Sequence, residues 1–135
     1  MISRVELIDD HYCFACGSDN KDGLDLHWTV EGKTTRALFL PKRKFQGWKG
    51  IVHGGILATL LDEAMTRLAG MVSGGAMTAE MTVRYLRPAK IDENIFVFGE
   101  IVGENRKLVE MRAALYRDHP GGPLIARAAG KAVKP

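Results

Sequence analysis

The sequence predicts an α+β domain: one antiparallel sheet laid against a single long helix. Three observations carry that expectation. Residues 54–72 repeat apolar side chains at helical spacing. The segments on either side alternate apolar and polar with a period of two. Short clusters of Gly, Pro, Asn and Asp separate those segments.

The elements follow in order. Residues 1–22 form a lead-in that contains Cys13-Phe14-Ala15-Cys16-Gly17. Residues 24–30 alternate as a half-buried strand, Glu31-Gly32-Lys33 makes a hairpin turn, and residues 34–40 return as a second strand. Residues 41–50 are a loop with two glycines and an exposed Trp48. The helix over 54–72 ends at Ser73-Gly74-Gly75, where glycine supplies the positive φ of a C-cap. In residues 77–85, Met77, Ala79, Met81, Val83 and Tyr85 share one face, and Thr78, Glu80, Thr82 and Arg84 share the other. Pro88 closes that strand. Residues 95–102, 108–117 and 124–133 complete a meander, with turns at 103–105 and 118–122. The order β-β-α-β-β-β-β, without repeats or linkers, reads as one domain over 1–135.

Bulk properties exclude several classes. A chain of 135 residues with 46% hydrophobic and 26% charged side chains is globular rather than disordered or fibrous. The net charge of +3 is scattered, and Lys42-Arg43-Lys44 is too short a cluster for nucleic acid, although a mildly basic surface suits a small anionic ligand. Residues 1–10 hold no apolar leader, and Asp62, Glu63 and Arg67 interrupt the longest apolar run, so no membrane span is expected. The cytoplasm is the expected compartment. Cys13 and Cys16 read as two structural thiols. A zinc site with His11 and His27 is the alternative, and a redox role is disfavoured because Gly17-Ser18-Asp19-Asn20 reads as a turn.

The helix carries the chemistry. At about 100° per residue, Thr59, Asp62, Glu63, Thr66, Arg67 and Gly70 fall on one stripe. Ile56, Leu57, Leu60, Leu61, Ala64, Met65, Leu68, Met71 and Val72 cover the rest, so the helix is expected to be buried on nearly every side. Glu63 and Arg67 suit an i,i+4 surface pair. Asp62 has no such account, because a short carboxylate inside a helix competes for backbone hydrogen bonds. At the other end, Gly54 and Gly55 leave first-turn N–H groups uncovered at the positive pole of the helix, where they can polarise a carbonyl or hold an oxyanion. Asp62 lies nine residues beyond His53, roughly 12 Å along a helix. A dimer, with one subunit's helix end facing its neighbour's acid, would bring the two together.

His53-Gly54-Gly55, six residues, Asp62, and then Tyr85-Leu86-Arg87-Pro88-Ala89 together resemble the hotdog-fold acyl-CoA thioesterases of the phenylacetyl-CoA thioesterase (PaaI-like) type, over roughly residues 23–133. The lead-in Cys-Phe-Ala-Cys-Gly with Asn20 and Gly23-Leu24 is similar to that of uncharacterised members. The resemblance implies a sheet wrapped around the helix, dimers or dimers of dimers joined edge to edge, and active sites at the dimer interface. It places the family acid on Asp62, as general base or nucleophile, and the oxyanion amide on Gly54 or Gly55. His53 would orient the loop or polarise the same oxygen. Thr78, on the partner's strand, would hold the water.

Many members carry Asn six residues before the His; here that position is Gly47, with Gln46 beside it. Glu63 stands where some hotdog branches place the acid, and adjacent helix residues point about 100° apart, which leaves Asp62 as the choice. Gln46, Gly47, Trp48, Leu57, Leu61, Glu63 and Met65 are the expected substrate contacts. Acyl-CoA is the implied ligand, with no cofactor and no catalytic metal. A hotdog dehydratase using His53 as base, and a non-catalytic acyl-CoA sensor, are the competing functions.

Overall fold

A computed structural model describes residues 6–135; the first five, part of the segment read above for a leader, lie outside the described residues. The chain forms β1 (Thr29–Glu31), β2 (Thr34–Phe39), α1 (Gly54–Ser73), β3 (Met77–Tyr85), β4 (Ile95–Glu104), β5 (Leu108–Arg117) and β6 (Leu124–Val133). A short 3-10 turn, Arg43–Phe45, interrupts the loop before the helix. The six strands make one antiparallel sheet in the order β1-β2-β4-β5-β6-β3.

The helix lies across the middle of the sheet. Leu57, Leu60, Leu61, Ala64, Met65, Leu68 and Ala69 are buried against Ile95 and Val97 of β4, Met111 and Leu115 of β5, and the inner residues of β6. Burial of each such Leu or Ile contributes roughly 1.5–3 kcal/mol. Small residues set how closely the layers approach. A Cβ on Gly99 would lie 2.6 Å from the Ala64 carbonyl oxygen, so β4 can pass under the helix only as glycine. The helix ends as expected on Gly74, at φ 74°, whose N–H bonds the Gly70 carbonyl.

Several expectations need correction. The first strand is only Thr29–Glu31. Leu24 and Leu26 are buried, but their N–H groups bond the Phe14 and Ala15 carbonyls, and Asp25 takes a left-handed φ of 54°. That pairing ties residues 24–26 to the lead-in instead of the sheet. Met71 and Val72 are 61% and 43% exposed, so the apolar girth of the helix is not buried all the way to its C-terminus. β3 is not the neighbour of β4 but pairs with β6 at the edge opposite β1, so the helix links β2 to the far edge and the chain then returns past β6 and β5 to β4.

Candidate active site

The helix N-terminus is built by the loop before it. His53 N–H bonds the Phe45 carbonyl, Gly47 N–H the Ile51 carbonyl and Val52 N–H the Ala89 carbonyl, each at 2.8–2.9 Å. This frame holds His53 as the N-cap, where imidazole takes the place usually filled by a hydroxyl or carboxylate. Its Nδ1 accepts the Gly55 N–H at 2.8 Å, so the neutral ring carries its proton on Nε2. A Cβ on Gly55 would stand 3.1 Å from that nitrogen, so the bare glycine lets the ring close on the helix end. The His53 carbonyl accepts from Ile56 and Leu57.

Of the two candidate amides, Gly55 is therefore occupied by the cap. The Gly54 N–H has no hydrogen-bond partner among the described residues. The Tyr85 hydroxyl donates to the Gly54 carbonyl at 3.0 Å, so the end of β3 braces the same turn. Tyr85 belongs to the motif quoted above, but nothing in its spacing announces that contact.

The acid sits further along the helix, half-buried, where Asp62 Oδ1 accepts from the Thr78 hydroxyl at 2.5 Å. Both residues belong to one chain, whereas the resemblance implies that Thr78 serves the site from the partner's strand. Strict alternation in β3 also puts Thr78 on the face away from Met81 and Val83. A bulge between Thr78 and Glu80 resolves this. One extra residue shifts the parity of the strand, so Thr78 lies opposite the buried Ala132 while Glu80 lies opposite the exposed Lys131.

Glu63, next in sequence, turns another way. No Glu63–Arg67 ion pair forms among the described residues. Glu63 Oε1 instead faces Cys13 Sγ at 4.0 Å, and Arg67 Nη1 approaches Cys16 Sγ at 3.5 Å. Burial pushes the Cys16 thiol far above its ordinary range, and the Glu63 carboxylate adds to the shift. His11 and His27 do not join this cluster: His27 is 82% exposed beside Asp25, and His11 lies exposed in a left-handed conformation.

Apart from Glu63, which faces Cys13, the expected substrate contacts divide into three groups. Gly47 and Trp48, with Val52, His53 and Gly54, line a shallow cleft of about 460 Å³ at the helix end, and Trp48 is 87% exposed. Gln46 uses its side-chain oxygen to accept the Gly50 N–H at 2.9 Å, and so braces the loop. Leu57, Leu61 and Met65 pack into the core between helix and sheet. No helix among the described residues is long and apolar enough to cross a membrane.

The thioesterase superfamily profile matches residues 49–123, a span that takes in His53, Gly54, Asp62, Thr78 and Tyr85. Acyl-coenzyme A thioesterase THEM4 of Bos taurus is 32% identical over 94 residues, which is 65% of this chain and 38% of that protein. The chain thus spans well under half the length of that relative. Two solved structures share the fold. Zebra fish thioesterase superfamily member 2 superposes with a TM-score of 0.75 at 22% identity, covering 86% of this chain and 89% of the other. The E. coli PaaI protein of the phenylacetic acid degradation operon superposes with a TM-score of 0.76 at 14% identity, covering 83% and 80%.

Proposed function

The chain belongs to the thioesterase superfamily, and we propose that it hydrolyses an acyl-CoA thioester to the free acid and CoA. The observation that carries this reading is the pairing of Asp62, on the helix, with Thr78 of β3, together with a Gly54 N–H at the helix N-terminus that has no partner among the described residues. In the proposed reaction the Gly54 amide, at the positive end of α1, binds the thioester oxygen and stabilises the charge that develops on it. Thr78 and Asp62 hold a water. Asp62 removes its proton as the oxygen attacks the carbonyl carbon. The tetrahedral intermediate then collapses, the C–S bond breaks, and the CoA sulfur leaves with a proton. Direct attack by the Asp62 carboxylate, through an anhydride that water then opens, uses the same residues.

Eight residues of helix separate Gly54 from Asp62, roughly 12 Å at 1.5 Å per residue. One carbonyl is therefore served by two subunits, Gly54 from one and Asp62 with Thr78 from the other. β3 lies at the edge of the sheet and carries Thr78 at one end and Tyr85 at the other, which makes it the edge proposed to meet a second copy. THEM4 is named for acyl-coenzyme A, and that name supports acyl-CoA as the substrate class here. A lyase reading is disfavoured because His53 spends Nδ1 on the helix cap and has no basic nitrogen left to take a proton.

The test is a panel of acyl-CoAs, including phenylacetyl-CoA and straight chains of several lengths, with a thiol reagent. Release of free CoA thiol is expected. Hydration of an enoyl-CoA without thiol release would turn the assignment to a lyase, and binding without turnover would leave only a sensor.

A further inference from the structure

The cluster of Cys13, Cys16 and Glu63 lies outside the proposed chemistry, and we propose that it is a zinc site that pins the N-terminal lead-in to the helix turn carrying Asp62. One ligand atom from each of the three half-buried side chains lies within 4.8 Å of the others. Tetrahedral zinc, with Zn–S near 2.3 Å, holds its sulfurs roughly 3.8 Å apart. The bound of 4.8 Å exceeds that spacing by about 1 Å.

The backbone around the thiols is shaped for the same purpose. Gly17 N–H bonds the Cys13 carbonyl at 2.9 Å, folding the five residues into a tight turn that leaves the two sulfurs within 4.8 Å of each other. A Cβ on Gly17 would stand 2.2 Å from the Cys13 nitrogen, so the turn needs glycine after the second cysteine. Within it, Ala15 N–H donates to Cys13 Sγ at 3.3 Å. Arg67 Nη1 reaches Cys16 Sγ at 3.5 Å. Both sulfurs are thus met by donors, the outer-shell arrangement that orients metal-bound thiolates.

Charge completes the case. Zinc binding would release the thiol protons, and the two thiolates and the carboxylate would then carry three negative charges, of which Arg67 offsets one. A divalent cation makes the group neutral. Thiolate ligands in a small tetrahedral cluster select zinc over magnesium or calcium, which take oxygen ligands in larger shells. The fourth position opens to a cleft lined by Cys13, Cys16, Glu63, Thr66 and Arg67 and belongs to water. Because Glu63 follows Asp62 in the helix, the metal holds the turn from which the acid projects, without touching the reacting atoms.

Titration of reduced, metal-free protein with Co2+ tests this, since cobalt bound by thiolate shows a charge-transfer band in the near ultraviolet. One Co2+ per chain is expected, displaced by Zn2+, and the band should be lost in Cys13→Ser and in Cys16→Ser. Arg67→Ala, which removes a donor to sulfur but no ligand, should keep the band and weaken metal affinity about 10- to 100-fold. Circular dichroism checks that each variant is folded. A wild-type protein with both thiols free that binds Co2+ without a thiolate band, or not at all, overturns the site. So does unchanged cobalt binding in folded Cys13→Ser. Neither result bears on thioester hydrolysis, which is read separately.

Discussion

Asp62→Asn keeps the acceptor that Thr78 uses, because the amide oxygen replaces carboxylate Oδ1, and it removes the group proposed to take a proton from water. The bond from Thr78 changes from one to a charged acceptor, worth about 1.5–3 kcal/mol, to a neutral one, worth about 0.5–1.5 kcal/mol. The half-buried charge disappears at the same time, which offsets that loss, so stability should stay within about 1 kcal/mol of wild type. Loss of a general base lowers turnover by about 10²- to 10⁴-fold, or about 2.7–5.4 kcal/mol of barrier at 1.36 kcal/mol per decade. Loss of a nucleophile would cost more. Thiol release from the best acyl-CoA substrate gives kcat, and thermal unfolding of the same preparation gives stability. Thr78→Val is the companion variant: it removes the donor and one proposed support of the water, and should lower kcat about 10- to 100-fold while Asp62 stays in place. A folded Asp62→Asn protein with kcat within tenfold of wild type would refute the assignment of the acid. If Thr78→Val alone were then inactive, Thr78 rather than Asp62 would be the group to pursue.

Other consequences are open to direct measurement. Gly99→Ala forces a methyl to within 2.6 Å of the Ala64 carbonyl oxygen, so helix and sheet must separate; urea denaturation should show a loss of about 1–3 kcal/mol, and an unchanged midpoint would mean that the layers pack more loosely than described. Tyr85→Phe removes the hydroxyl bond to the Gly54 carbonyl and should cost about 0.5–1.5 kcal/mol, with kcat/KM falling because the turn that offers the Gly54 N–H loses its brace; equal activity and stability in the two proteins would count against that role. Light scattering at micromolar concentration should report a dimer or larger assembly, and an active monomer would exclude a site shared between subunits.

How much of this is legible in the sequence depends on the range of the forces involved. Period and punctuation are local, and they predict the helix to within one residue of Gly54–Ser73 and the strands Met77–Tyr85, Leu108–Arg117 and Leu124–Val133 without error. Gly74 at positive φ and the polar stripe through Thr59, Asp62 and Thr66 follow from the same local rules. The oddity of an aspartate inside an apolar helix is enough to mark Asp62 as a candidate. Only tertiary structure decides the rest. The alternation of residues 24–30 is right about which side chains are buried, yet the amides of Leu24 and Leu26 find carbonyls in the lead-in instead of a neighbouring strand. The place of β3 beside β6, the bulge that turns Thr78 toward Asp62, and the choice of Cys13 over Arg67 as the neighbour of Glu63 are contacts between segments remote in the chain. Such contacts are chosen by packing the whole sheet against one helix at once, and no short stretch of residues contains the information that selects them.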